Sequence, residues 1–190
     1  MGEQRTGTPS RSPLEPLALG LTILGAFARL IPHPPNFAPV GGMSLFAGSR
    51  LRGWQAYLVP VLLMVVTDPL RVALFHPGFP AFSSSTPFIY ASLLLNVWIG
   101  RRWLQTPNTR RIVGAAFFGS LQFFLITNLA AFVWEASYPQ TAAGLIACYV
   151  AAIPFYGRTL ASDLFYSGLL FSLHAWTRRV ASSKWVPATK

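Results

Sequence analysis

The chain has 190 residues, of which 53% are hydrophobic and only 11% charged, well below the quarter or so charged that a soluble domain carries, so an ordinary water-soluble globule is excluded. Fifteen Lys and Arg against five Asp and Glu give a net charge of +10. In a soluble protein that would suggest nucleic acid, but here the basic residues fall in short gaps between apolar segments, where cytoplasmic membrane loops carry them, and no nucleic-acid partner is expected.

Residues 1–13 hold Gly, Ser, Thr, Pro and two arginines without apolar periodicity and are predicted to form a disordered cytoplasmic arm. An apolar segment follows over residues 14–31. It can be read as a signal peptide, with Arg5 and Arg11 as the basic region and Ala26-Phe27-Ala28 as a cleavage site, or as an uncleaved helix. The helix is preferred, because the segment approaches spanning length and several more hydrophobic segments follow. These lie at 37–49, 54–75, 87–104, 112–134 and 142–176, the last broken around Pro154 and Gly157. Residues 14–177 then form the transmembrane domain and 178–190 a basic cytoplasmic tail. At 1.5 Å per residue the 54–75 segment spans ~33 Å, enough for the hydrocarbon core, but the 37–49 segment reaches only ~20 Å as a helix.

Charge placement selects a topology. If residues 37–49 cross as a short broken helix, and residues 142–155 are re-entrant or interfacial ahead of a last helix at 157–176, twelve of the fifteen basic residues share one face. Arg50, Arg52, Arg101, Arg102, Arg110, Arg111, Arg178 and Arg179 are among them, and that face is cytoplasmic by the positive-inside rule. The expectation is an all-α polytopic membrane bundle of about six transmembrane helices in a bacterial inner membrane, with both termini cytoplasmic.

The remaining basic residues, Arg29, Arg71 and Arg158, share the opposite side with Asp68, Glu135 and Asp163. Asp68, Asn128 and Asp163 each come out ~9 to 11 Å below the outer helix ends and can occupy one layer. Ionisable groups at that depth are costly unless they pair or line a wet cavity, so the layer is read either as a ligand site or as an internal ion-pair network. In the network reading Asp68 and Arg71 neutralise each other on one helix face, and Arg158 serves Asp163 or Glu135.

The segment Ile31-Pro32-His33-Pro34-Pro35-Asn36-Phe37-Ala38-Pro39 is the most distinctive in the chain. Its four prolines enforce an extended backbone and leave His33 and Asn36 as its polar side chains, making it a rigid connector or a preorganised lip over an outer cavity. Pro60 and Pro69 within the third segment predict a kink beside Asp68. Ala18, Thr22 and Ala26 repeat every four residues, a smooth strip suited to docking a partner helix. Asn96 and Gln122 are expected to hydrogen-bond across the bundle, and Cys148 reads as a small core residue.

The run from Arg29 to Val40, together with Phe123-Phe124-Leu125-Ile126-Thr127-Asn128, Tyr138-Pro139-Gln140-Thr141 and Asp163-Leu164, resembles a family of small bacterial multi-pass membrane proteins with no established activity. In size and helix number the chain is also similar to the S components of energy-coupling-factor transporters, which bind a vitamin or metal ion from outside and dock on a shared ATPase-driven coupling module. That resemblance implies a binding and uptake subunit with a cavity lined by Arg29, His33, Asn36, Asp68, Arg71, Asn128, Arg158 and Asp163, taking a small polar or zwitterionic solute, and docking through the Ala18, Thr22, Ala26 strip. Where the family motif has asparagine before Thr159, this chain has Arg158. The runner-up is an envelope scaffold in which the same residues are structural. No enzyme activity, cofactor or metal site is expected, since no HExxH, nucleophile elbow or phosphate-binding glycine loop is present.

Overall fold

The computed structural model describes residues 15–135 and 137–183. The predicted arm at 1–13 and the end of the predicted tail, with Lys184 and Lys190, lie outside the described residues. Six helices follow in order: α1 (Glu15–Ala28), α2 (Val40–Arg50), α3 (Gln55–Phe75), α4 (Thr86–Trp103), α5 (Thr109–Trp134) and α6 (Ala142–Ser183). Local chemistry sets several ends. Pro87 opens α4 at a position where its missing N–H costs nothing. The Asn108 side chain caps α5 by accepting from the Arg111 N–H at 2.9 Å.

Large apolar side chains cover the surface of the bundle as well as its core, and small polar ones are buried among the helices. Leu24, Val66, Leu74, Ile146 and Trp176 are exposed, whereas Thr22, Ser44, Thr67, Ser92, Asn96, Ser120 and Ser167 are buried. Three helices, α3, α5 and α6, are long and apolar enough to cross a membrane, and the chain is a membrane protein organised as an all-α bundle.

α2 is the axis of the bundle and packs against all five other helices. Every residue from Gly41 to Ser49 is buried. Its small residues make that possible: a Cβ on Gly48 would fall on the Val97 carbonyl oxygen, and one on Gly100 of α4 would fall on the Leu45 carbonyl oxygen. The two helices therefore meet backbone to backbone, the close approach that small residues permit between helices in lipid. The short segment is thus an intact helix of 11 residues, ~16 Å long.

Two expectations are corrected. The predicted break near Pro154 and Gly157 is absent, for α6 runs unbroken through both as 42 residues, ~63 Å or about twice the hydrocarbon thickness. α5 braces it on both sides of the proline. Tyr149 donates to the Leu125 carbonyl at 2.7 Å, and Phe124 packs on Tyr149 and Tyr156 with ring centroids 5.5 and 5.1 Å apart. The helix also takes in 178–183, the first residues of the predicted tail. Secondly, Ala18, Thr22 and Ala26 are not a docking face. They are 1%, 0% and 1% exposed, and Ala18 and Ala26 belong to the core cluster with Met43, Phe46 and Ala47 of α2. The smooth strip serves the chain's own central helix, which leaves nothing for an outside partner to grip.

The basic residues gather at one end. Arg101 donates to the Gly53 carbonyl at 3.1 Å, Ser49 to the Leu104 carbonyl at 2.5 Å, and the Arg50 guanidinium lies 5.5 Å from the Phe171 ring centre. At the other end the loop before α4 meets the end of α5, where Ser85 donates to Glu135 at 2.6 Å.

Candidate functional site

At the end away from the arginine cluster, the segment that follows α1, with the proline-rich loop, and helices α2, α3, α4, α5 and α6 line a cavity of about 250 Å³. Its walls on α3 and α4 run from Met64 to Arg71 and from Ile89 through Leu93 to Asn96. Seven residues of helix on each side give a depth of ~10 Å. Phe123 adds an apolar surface, and Arg29, His33, Asn36, Arg71, Asn96 and Asp163 supply the polarity.

Asp163 is 2% exposed and lies over the first turn of α2, where it accepts the Gly42 N–H. The first N–H groups of any helix lack intrahelical acceptors and carry partial positive charge, so a carboxyl group from α6 fits there. Glycine at position 41 is required, because a Cβ would fall on the Asp163 carboxyl. The neighbouring Ser162 donates to the Ala38 carbonyl at 2.7 Å and fixes the proline-rich loop to α6. Asp163 has no ion-pair partner among the described residues.

A second cluster lies beside the cavity. Arg29, 8% exposed, forms an ion pair with Asp68 at 2.6 Å and also donates to Thr67 at 3.1 Å. Tyr90 donates to the other Asp68 oxygen at 2.7 Å. Both carboxylate oxygens are thereby satisfied, and α1, α3 and α4 are tied together. The expected neutralisation of Asp68 by Arg71 is replaced by Arg29. Arg71 instead lines the main cavity and a smaller one of about 220 Å³ under residues 80–86. It has no ion-pair partner among the described residues.

The proline-rich loop forms a wall of the cavity. The His33 ring lies within hydrogen-bonding distance of the Arg29 and Pro34 carbonyl oxygens, at 3.1 and 3.0 Å. Asn36, exposed at the rim, has φ 63°, the left-handed region that asparagine tolerates better than most side chains.

Of the eight residues predicted to line one cavity, the structure brings Arg29, His33, Asn36, Arg71 and Asp163 together, with Asp68 adjoining through Arg29. Asn128 and Arg158 are outside it. The Asn128 side-chain amide donates to the Phe124 carbonyl of its own helix at 2.8 Å, and the Asn128 backbone carbonyl accepts from the Cys148 thiol at 3.6 Å. Arg158 is exposed, with its guanidinium 5.9 Å from the centre of the Phe155 ring on its own helix. Both lie on the wrong side of their helices, a matter of rotation that depth along the chain does not determine.

Sequence reasoning missed Asn96, Gly41 and Thr159 as lining residues. Asn96 does bond across the bundle, as expected: Gln122 donates to its Oδ1 at 3.1 Å. Its Nδ2, however, has no acceptor although the residue is 0% exposed. Glycine in an otherwise buried run was the available signal for Gly41, since it marks close approach of another group. Among the described residues no three His, Cys, Asp or Glu gather as a metal site would need.

No curated protein and no solved structure matches the chain. Its match to a family model extends over residues 11–185, nearly the whole length and every helix described above. The chain belongs to that family, a family of unknown function (DUF6580).

Proposed function

We propose that this protein is a membrane-embedded binding subunit that takes up a small polar solute from the non-cytoplasmic side. The observation that carries the reading is a cavity lined by Asp163 and Arg71, neither of which has an ion-pair partner among the described residues. Ionisable groups inside a membrane bundle pair or line a wet cavity, and these two do the second. At about 250 Å³ the cavity falls just below the ~300–1,000 Å³ range of drug-sized sites and suits a smaller molecule. With the arginine-rich end in the cytoplasm of a bacterium, by the positive-inside rule, the cavity faces outward. That is the arrangement of an S component, and the proposed partner is a membrane coupling subunit driven by ATPases. Binding rather than catalysis is the proposed role, since both oxygens of Asp68 are engaged and Asp163 has no second acid beside it.

One observation favours the scaffold reading. The Arg29–Asp68–Tyr90 cluster is self-contained, which is what a structural network requires. Thermal unfolding of the detergent-purified protein against vitamins, amino acids, other small polar solutes and metal ions separates the two. The binding reading expects a compound that raises Tm in wild type and in Arg158→Ala but not in Asp163→Asn. No shift with any compound would favour the scaffold, and an equal shift in Asp163→Asn would put the ligand elsewhere in a binding protein.

A further inference from the structure

The cavity carries one carboxyl group and one guanidinium that nothing else in the described protein neutralises. Asp163 is buried with a single backbone donor, the Gly42 N–H. Arg71, half-buried, faces the same space from the outer half of α3. The other cation at the wall, Arg29, is committed to Asp68 at 2.6 Å. A buried carboxyl without a counter-charge avoids the cost of its charge by holding a proton, and ionises when a cation pairs with it. Here the two unpaired groups line one cavity, so one molecule bearing both signs can serve both.

Resting on the binding reading above, we propose that the ligand is a small amino-acid-like zwitterion, bound with its ammonium group at Asp163 and its carboxylate at Arg71. The chemistry at each pole fits. Asp163 uses one acceptor site on Gly42 and keeps others for an ammonium, which has three donors and no acceptor. Arg71 offers the planar fork that matches a carboxylate in bidentate fashion. Met64, Leu93 and Phe123 surround the middle of the molecule and favour a short apolar spacer. An anion alone would leave Asp163 without a partner, and an amine alone would leave Arg71 so.

The test uses the full-length protein in detergent with defined probes: alanine, β-alanine, γ-aminobutyrate and leucine, and as single-charge halves ethylammonium and propionate. At a hundred times its Kd a zwitterion is expected to raise Tm by roughly 5–10 °C, with neither half producing a comparable shift. Asp163→Asn keeps an acceptor for the Gly42 N–H and should preserve the fold while abolishing the shift. Arg71→Gln should abolish it too, and Arg71→Lys should restore part of it. A shift from propionate that survives in Asp163→Asn would overturn the zwitterion while leaving a binding protein. A shift only from uncharged solutes would do the same. No shift from these probes or from the wider panel, with both variants as stable as wild type, would overturn the zwitterion and the binding reading together.

Discussion

Two charged clusters occupy the same end of this bundle and treat charge in opposite ways. In the first, Arg29 just beyond α1, Asp68 of α3 and Tyr90 of α4 satisfy one another, and both carboxylate oxygens are engaged. In the second, Asp163 and Arg71 line one cavity without an ion-pair partner between or beside them. Three helices are locked by the closed cluster, and the open one is held in place by glycine and backbone. A polar group that has completed its bonds is part of the framework, whereas one that has not is available to something else.

The comparison is broken most severely at Arg29. Arg29→Met removes the partner of a largely buried carboxylate and is expected to cost about 3–5 kcal/mol, read as a lower unfolding midpoint in a denaturing-detergent titration. A loss below about 1 kcal/mol would mean that the pair behaves as a solvated one. Gly41→Ala should come next, at about 1–3 kcal/mol, since the added methyl must displace the Asp163 carboxyl, and it should also abolish any ligand-induced Tm shift. Tyr90→Phe removes one hydrogen bond to a charged group and should cost about 1.5 kcal/mol without affecting ligand response. Asp163→Asn is the smallest expected effect on stability, within about 1 kcal/mol of wild type, because the amide keeps an acceptor for the Gly42 N–H and matches the carboxyl group in size. Should Asp163→Asn destabilise as much as Arg29→Met, the contrast between the clusters would collapse.

The helical bundle was legible because hydrophobic segments of spanning length and the placement of arginines constrain a membrane chain strongly. Residues 37–49 read as ambiguous because ~20 Å of helix is too short to span the hydrocarbon core, which suggested a broken helix. In the fold the glycines of this segment are what lets five helices close around an intact α2. The Ala18, Thr22, Ala26 strip was correctly seen as a packing surface and wrongly given to another protein. Small residues spaced by four say that a helix approaches, not which one.

By itself the sequence determined the solvent, the all-helical class, and the segregation of arginines to the end opposite Arg29, Asp68 and Asp163. All of these follow from composition and position along the chain. Only the tertiary structure decided which charges pair. Asp68 takes Arg29, 39 residues away, rather than Arg71 three residues on, and Asp163 rests on the start of α2. Asn128 and Arg158 lie outside the cavity, and Asn96 lines it. Such facts depend on the rotation of each helix about its axis, which is set by how neighbouring surfaces fit and which no single segment encodes.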